Sequence, residues 1–158
     1  MNATRKTRVR TVSALDAHLG YWPRFVSNHV SHSFSLKLHE RRVTVAEWVI
    51  LRELYETEAI VPSALARKVG MTRGAISKLA DRLVAKSLIE QTANSEDRRY
   101  QALALTAAGR ALIPELSALA DRNDAEFFGH LSTAERAAVE RVMRGIVQRR
   151  GLRAVPVE

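Results

Sequence analysis

The sequence contains no cysteine, and this absence excludes disulfide bonds, zinc fingers, thiol nucleophiles and cysteine-based redox sensing. No apolar stretch is long enough to span a bilayer, and the basic N-terminus lacks the apolar segment of a signal peptide. Repeats and low-complexity linkers are also missing. We therefore expect a cytoplasmic protein that folds as a single domain over residues 1–158.

Signatures of catalysis and of metal binding are scarce. The sequence shows no nucleophile elbow, no phosphate-binding loop and no dinucleotide fingerprint. His29 and His32 are spaced to share one face of a helix, but the nearby Glu40 lies beyond that face and no cysteine joins them. We predict polar or pocket-lining histidines there, no metal site, no cofactor and no enzymatic activity.

Acidic residues are outnumbered by basic ones. The chain has 25 lysines and arginines against 17 aspartates and glutamates, a formal net charge of +8. This excess favours a polyanionic partner, either nucleic acid or an anionic membrane surface. With 158 residues, of which 46% are hydrophobic, the chain is long enough to bury a sizeable core.

A candidate helix-turn-helix lies between Pro62 and Lys86. Its first helix is expected to begin at Pro62 and to stop at Gly70, and Thr72 is a suitable N-cap for the second. At about 100° per residue, the second helix directs four apolar side chains inward, those of Ala75, Ile76, Leu79 and Leu83. Its opposite face carries Arg73, Gly74, Ser77, Lys78 and Asp81. The whole segment holds six basic residues against one acid, which suits the major groove of DNA.

A predicted two-stranded ribbon follows directly. Residues 88–92 and 100–106 have the character of strands, with Leu103 and Leu105 on one face, and the polar loop between them contains Asp97, Arg98 and Arg99. Taken alone, the basic helix could be a solvated surface helix and the loop a solvated turn. Their succession indicates a wing, whose arginine-rich tip can enter a neighbouring minor groove.

Amphipathic patterns flank this unit on its N-terminal side. Residues 1–10 form a basic arm without acids. Pro23 interrupts the first helical pattern and predicts either a kink or a true helix start. The apolar side of this pattern comprises Leu15, Leu19, Trp22, Val26 and Val30. A second helix, at about residues 45–57, is expected to bury Trp48, Val49, Leu51 and Leu54 or Tyr55.

Two more helices are predicted after the ribbon. One begins at residues 106–109 and is expected to bend at Pro114, with Leu112, Leu116, Leu119 and Phe127 along one side. The last begins at the capping box formed by Ser132 and Glu135 and continues to about Arg150, with Val139, Val142, Met143 and Ile146 on its apolar side.

We therefore predict a mainly α-helical protein with a small β-wing. A winged helix-turn-helix (residues 40–106) lies between dimerisation helices at residues 11–39 and 107–150. The terminal helices carry more apolar surface than a small winged unit can cover, so we expect a homodimer held by residues 12–38 and 110–150. Two-fold symmetry would place two recognition helices about one turn of DNA apart.

In its order of elements and in three motifs, the chain resembles the MarR family of bacterial transcriptional regulators. The motifs are residues 43–51, residues 65–66 with 72–79, and Asp97-Arg98-Arg99 followed by residues 105–109. The resemblance implies that Asp97 orients Arg99 toward the minor groove. It implies a DNA-binding regulator that acts as a repressor at a pseudo-palindromic operator. The residues expected to contact double-stranded DNA are Thr72, Arg73, Gly74, Ser77, Lys78, Arg82, Asp97, Arg98 and Arg99.

The resemblance also implies a small aromatic effector that releases the protein from DNA. Members of the family bind aromatic or phenolic carboxylates in a cleft between the dimerisation helices and the winged unit. The matching candidates are His18, Tyr21, Trp22, Phe25 and Trp48, although Trp22 and Phe25 could equally serve core or dimer packing. Pro23 departs from the family pattern, and the missing cysteine excludes the family's thiol-based peroxide sensing.

Two other functions fit part of the sequence. A structural nucleoid-associated protein would coat DNA through its charge without an effector. A membrane-surface or RNA binder would use the basic arm, but the predicted wing argues against it. Specific binding of one operator over random DNA separates the regulator from the nucleoid protein.

Overall fold

The computed structural model describes residues 12–93 and 101–152, which form six α-helices and one antiparallel pair of strands. A short 3-10 turn at Leu15–Ala17 precedes the first helix. The elements follow in the order α1 (Tyr21–His39), α2 (Val45–Tyr55), α3 (Pro62–Val69), α4 (Arg73–Ala85), β1 (Ile89–Ala93), β2 (Gln101–Leu105), α5 (Ala107–Phe128) and α6 (Thr133–Arg150). The predicted fold class is therefore confirmed.

Side-chain caps set the beginnings of four helices. The hydroxyl oxygens of Thr44, Thr72, Thr106 and Ser132 each accept a hydrogen bond from a backbone N–H in the first turn of the following helix. Such caps satisfy donors that would otherwise have no partner within the helix. The predicted cap at Thr72 and the predicted capping box at Ser132 are confirmed.

Pro23 marks the start of a helix. It is the third residue of α1, where a backbone N–H has no partner within the helix and a proline is tolerated. The helix expected to run from about Val12 is wrong in its first part, because Leu15 lies in the 3-10 turn and Leu19 precedes α1. Pro114, at which we expected a bend, lies inside α5 without ending it.

The core forms around α2 and collects side chains from α1, α3, α4, the strands and α5. In α2, Ile50, Leu51 and Leu54 are fully buried, whereas Trp48 is half-buried and Tyr55 is exposed. The predicted inward face of α2 was therefore partly wrong. The buried positions follow the spacing i, i+3, i+4 and i+7 from Glu47, which is itself buried.

The two strands form the base of the wing. In the antiparallel register, Ile89 pairs with Leu105 and Gln91 with Leu103, while Ile60 adds a bridge to Leu103 through two backbone hydrogen bonds of 2.8 and 3.0 Å. Leu103 is buried, and Leu105, which we predicted on the same face, is partly buried. Because Ala102 is buried as well, both faces of β2 are covered at this point.

Apolar side chains remain exposed at both ends of the described chain. No residue of α6 is buried, and its exposed side chains include Val139, Val142, Met143, Ile146 and Val147. Near the other end, Leu15, Leu19, Trp22 and Phe25 are exposed. Among residues 12–93 and 101–152, no helix combines the length and the apolar character that crossing a membrane requires.

Candidate nucleic-acid interface

The turn between α3 and α4 holds the second helix at a fixed distance from the first. Gly70 ends α3 with a left-handed backbone (φ 69°), and the N–H of Met71 donates to the carbonyl of Ala66 at 3.0 Å. The hydroxyl of Thr72 then accepts from the N–H of Ala75 at 3.2 Å. Glycine tolerates the left-handed conformation without a steric penalty, which allows so short a turn.

Apolar residues anchor α4 in the core and leave its other face in solvent. Ile76, Leu79, Ala80 and Leu83 are buried. The burial of Ala80 was not predicted. The exposed residues of this face include every predicted DNA-contacting residue of the helix and its cap, namely Thr72, Arg73, Gly74, Ser77, Lys78 and Arg82.

The basic side chains of this exposed face form no ion pair with the acidic residues that the structure describes. In the part of the chain that the structure describes, Arg73, Lys78 and Arg82 form no salt bridge, whereas Lys68 of α3 lies 2.6 Å from Glu53. Together with the positive end of the helix dipole at Thr72, these cations favour a polyanion.

Gly74 lies at the centre of the exposed first turn of α4. Apart from its chain neighbours and the backbone of its own helix, a Cβ atom at this position would meet no described atom within 4 Å, so packing against the rest of the described protein does not require a glycine there. Glycine costs about 0.5–1 kcal/mol relative to alanine inside a helix. A glycine on an open helical surface permits the backbone to approach an external ligand closely.

The two strands form the described part of the wing, which is its base. Asp97, Arg98 and Arg99 lie outside the described residues, so the predicted pairing of Asp97 with Arg99 stays a prediction. The described strands end at Ala93 and begin again at Gln101, directly opposite one another in the register. The intervening residues therefore connect two adjacent strand ends.

Lys86, the last basic residue of the helix-turn-helix segment, is engaged within the protein. Its ammonium group donates to both carboxylate oxygens of Glu47, each at 2.8 Å, and to the carbonyl of Arg42 at 2.7 Å. Burial raises the pKa of Glu47, but the hydrogen bonds from Lys86 and from the backbone of Thr44 outweigh that effect, so that the pKa lies below its ordinary value. The spacing of Thr44 and Glu47 is that of a capping box, a signal that could have revealed the role of Glu47.

The predicted effector-binding residues do not all meet. His18, Tyr21 and Phe25 line one groove of about 400 Å³ at the start of α1, and two residues that we had not considered, Arg24 and Asn28, join them. The rings of Tyr21 and Phe25 stack with their centroids 5.7 Å apart. The groove therefore offers an aromatic wall beside hydrogen-bonding and cationic groups.

The two tryptophans lie outside the lining of this groove. The indole N–H of Trp22 donates to the backbone carbonyl of Asp16 at 3.1 Å, and its ring is half-exposed. Trp48 packs edge-to-face against Phe34, with the ring centroids 6.3 Å apart, at the margin of the core. Among the described residues, no three histidine or carboxylate side chains are grouped as metal ligands would be.

Comparisons with known proteins agree with this geometry. A sequence model of the MarR family matches residues 43–100, which contain α2, α3, α4 and β1. The multiple antibiotic resistance protein MarR of Escherichia coli is 26% identical over 106 residues, which make up 66% of this chain and 74% of that protein.

Two solved structures show the same fold. The structure of BpsR from Bordetella bronchiseptica, whose DNA binding is regulated by 6-hydroxynicotinic acid, has a TM-score of 0.77 and 24% identity; the match covers 86% of this chain and 97% of BpsR. A mutant MarR from Escherichia coli in complex with operator DNA has a TM-score of 0.75 and 24% identity, with 82% and 93% of the two chains covered.

Proposed function

We propose that this chain, which belongs to the MarR family of transcriptional regulators, is a repressor that binds a pseudo-palindromic operator as a homodimer. The observation that carries this proposal is the exposed face of α4. Three cations without described salt bridges share this face with an open glycine, on a helix whose other side is anchored in the core. Such a face can enter a major groove with little loss of internal interactions.

The residues of α4 divide between reading bases and contacting the backbone. Arg73, Ser77 and Lys78 have the donors that meet base edges, and Gly74 permits close approach. Thr72 and Arg82 lie toward the two ends of the exposed face and suit phosphate contacts. In the wing, Arg99 enters the minor groove, Asp97 orients it, and Arg98 contacts a phosphate.

The exposed apolar residues at both chain ends support a homodimer. On α6, residues 139, 142, 143 and 146 follow the i, i+3, i+4 and i+7 spacing of one helical stripe. Such a stripe needs a covering surface, and a second copy of this chain offers a matching one from its own α6 and from the exposed apolar residues near the start of α1. Two-fold symmetry then repeats α4 on the other half of the operator.

A small aromatic effector is the proposed regulatory ligand. The groove lined by His18, Tyr21 and Phe25 has the size and aromatic character for such a compound, and regulation of BpsR by 6-hydroxynicotinic acid provides a precedent within this fold. The effector would weaken DNA binding only by its differential affinity for the free and the DNA-bound shapes of the dimer.

The tryptophans make the effector groove testable. Trp22 follows Tyr21 directly, whereas Trp48 packs near the core, so a Trp48→Phe variant leaves one reporter beside the groove. We expect aromatic carboxylates, with 6-hydroxynicotinic acid as the first probe, to change the fluorescence of that variant and to weaken its DNA binding. If the Trp48→Phe variant shows no fluorescence change while the compound still weakens its DNA binding, the effector binds at another site.

DNA selection from a random pool tests the proposed function itself. The wild-type protein should enrich sequences with two inverted half-sites centred about one helical turn apart, roughly 10 base pairs. A variant with Arg73→Ala and Lys78→Ala should lose this enrichment, and Glu53→Gln, which lies outside the α4 face, should retain it. Retention of DNA without any common sequence would instead identify a nucleoid-associated protein.

A further inference from the structure

The turn that follows the recognition helix, residues 86–88, is held from two sides. Lys86 caps the C-terminus of α4, and Ser87 adopts a left-handed backbone with φ 57°. The N–H of Leu88 donates to the carbonyl of Leu83 at 3.0 Å, which fixes the turn to the helix. Any group that binds this turn therefore also positions α4.

On one side, Lys86 fastens the turn to the junction between α1 and α2. Its three ammonium protons match three acceptors, the two oxygens of Glu47 and the carbonyl of Arg42. The same Glu47 carboxylate accepts from the N–H of Thr44 at 2.8 Å, and the N–H of Arg42 donates to His39 in the last turn of α1. The pair thus connects α4 to the end of α1.

On the other side, the N-terminus of α5 contacts the same turn. The hydroxyl of Thr106 donates to the carbonyl of Ser87 at 2.8 Å, and the N–H of Thr106 donates to the carbonyl of Leu88 at 3.1 Å. Gly109 is buried against Leu88 so closely that an added Cβ would overlap the Leu88 carbonyl oxygen. The end of α4 is therefore joined both to the end of α1 and to the start of α5, two helices that overlap the proposed dimer segments, residues 12–38 and 110–150.

We propose that Lys86 and Glu47 are positioning residues, which hold the recognition helix at a fixed place relative to α1 and α5 and thereby set the half-site spacing that the dimer accepts. This inference rests on the proposed function. One added base pair changes the separation of two half-sites by about 3.4 Å and rotates one relative to the other by roughly 35°. A firmly held α4 discriminates against that change, and a loosened α4 tolerates it.

The alternative role for Lys86 is a contact with a DNA phosphate, and the two roles predict opposite effects of Glu47→Gln. If the pair positions α4, then Glu47→Gln and Lys86→Met act in the same direction. If Lys86 contacts a phosphate, Glu47→Gln releases the ammonium group and strengthens DNA binding. In that case Lys86→Met also makes the plot of log affinity against log salt concentration less steep. Its slope falls by about 1.8 for the two lysines of a dimer, at about 0.9 for each phosphate contact.

The test measures affinity for the selected palindromic DNA and for the same DNA with one base pair inserted between the half-sites. We expect the preference for the selected DNA, expressed as its affinity divided by the affinity for the DNA with the insertion, to fall by about tenfold in both Glu47→Gln and Lys86→Met. A change of this size lies within the range of interaction energies between residues of one hydrogen-bonded network. The salt dependence of both variants should equal that of the wild type. Glu53→Gln, which removes the carboxylate from another Lys–Glu pair but one confined to α2 and α3, should keep the wild-type ratio.

The outcomes separate this inference from the proposed function. A wild-type protein without preference for any palindromic DNA would overturn the proposed function. A wild-type protein with that preference, together with variants that keep its spacing ratio, would overturn the positioning role. Circular dichroism checks that each variant is folded. If Lys86→Met does not fold, the near-isosteric Glu47→Gln is sufficient for the test.

Discussion

Substitution of Val142 by aspartate should dissociate the proposed dimer. Val142 lies in the middle of the apolar stripe of α6 and is 53% exposed in the single chain. Full burial of an apolar side chain contributes about 1.5–3 kcal/mol, so covering the exposed half of Val142 contributes about 1 kcal/mol per protomer. In a two-fold symmetric dimer the loss occurs twice, about 2 kcal/mol.

A loss of that size weakens dimerisation about 30-fold, and an unpaired carboxylate in the interface weakens it further. Sedimentation over a dilution series measures the effect, with operator binding followed at the same protein concentrations. Ala137→Asp provides a matched control, because it introduces the same charge at an exposed position on the opposite side of α6. An unchanged dimer dissociation constant for Val142→Asp would refute the assignment of this stripe to the dimer interface.

Three further predictions concern DNA binding and stability. Arg73→Ala should cost about 1–3 kcal/mol of operator affinity and relax base preference at one position per half-site; equal losses for Arg73→Ala and Lys78→Ala on operator and random DNA would contradict base reading. Arg99→Ala should weaken binding most at DNA sites with A·T-rich flanks, and Asp97→Ala should partly reproduce this effect. Competition between DNA sites that differ only in their flanks measures the preference, and an unchanged preference would show that the wing contact is dispensable. Because the folded-state pKa of Glu47 is lowered, its contribution to stability should be present above about pH 4.5 and be lost as the pH falls below that value; urea unfolding at several pH values checks this, and Glu47→Gln showing the wild-type pH profile would refute it.

The helix boundaries could be predicted where short-range chemistry determines them. The hydroxyls of Thr72 and Ser132 cap helices within three residues of themselves, and Gly70 ends a helix through its own backbone conformation. The same local logic could not choose between a kink and a helix start at Pro23. In the structure Pro23 lies in the first turn of α1, and the preceding Leu15 lies in a separate 3-10 turn.

Long-range contacts explain what the sequence did not reveal. Glu47 and Lys86 are 39 residues apart, and a carboxylate is expected at the surface unless its partner is known. The burial of Glu47 also explains why the predicted inward face of α2 was partly wrong. With Glu47 buried, the inward face of the helix contains Ile50 and not Trp48. Trp48 lies at the margin of the core and does not line the groove that contains Tyr21.

The ratio between affinity for the selected operator and affinity for random DNA, measured at one salt concentration, tests the central claim most directly. A dimer that reads bases through Arg73, Ser77 and Lys78 should bind the operator at least about 10³-fold more tightly. Equal affinities for the two DNAs would contradict the account, because charge alone would then explain the binding.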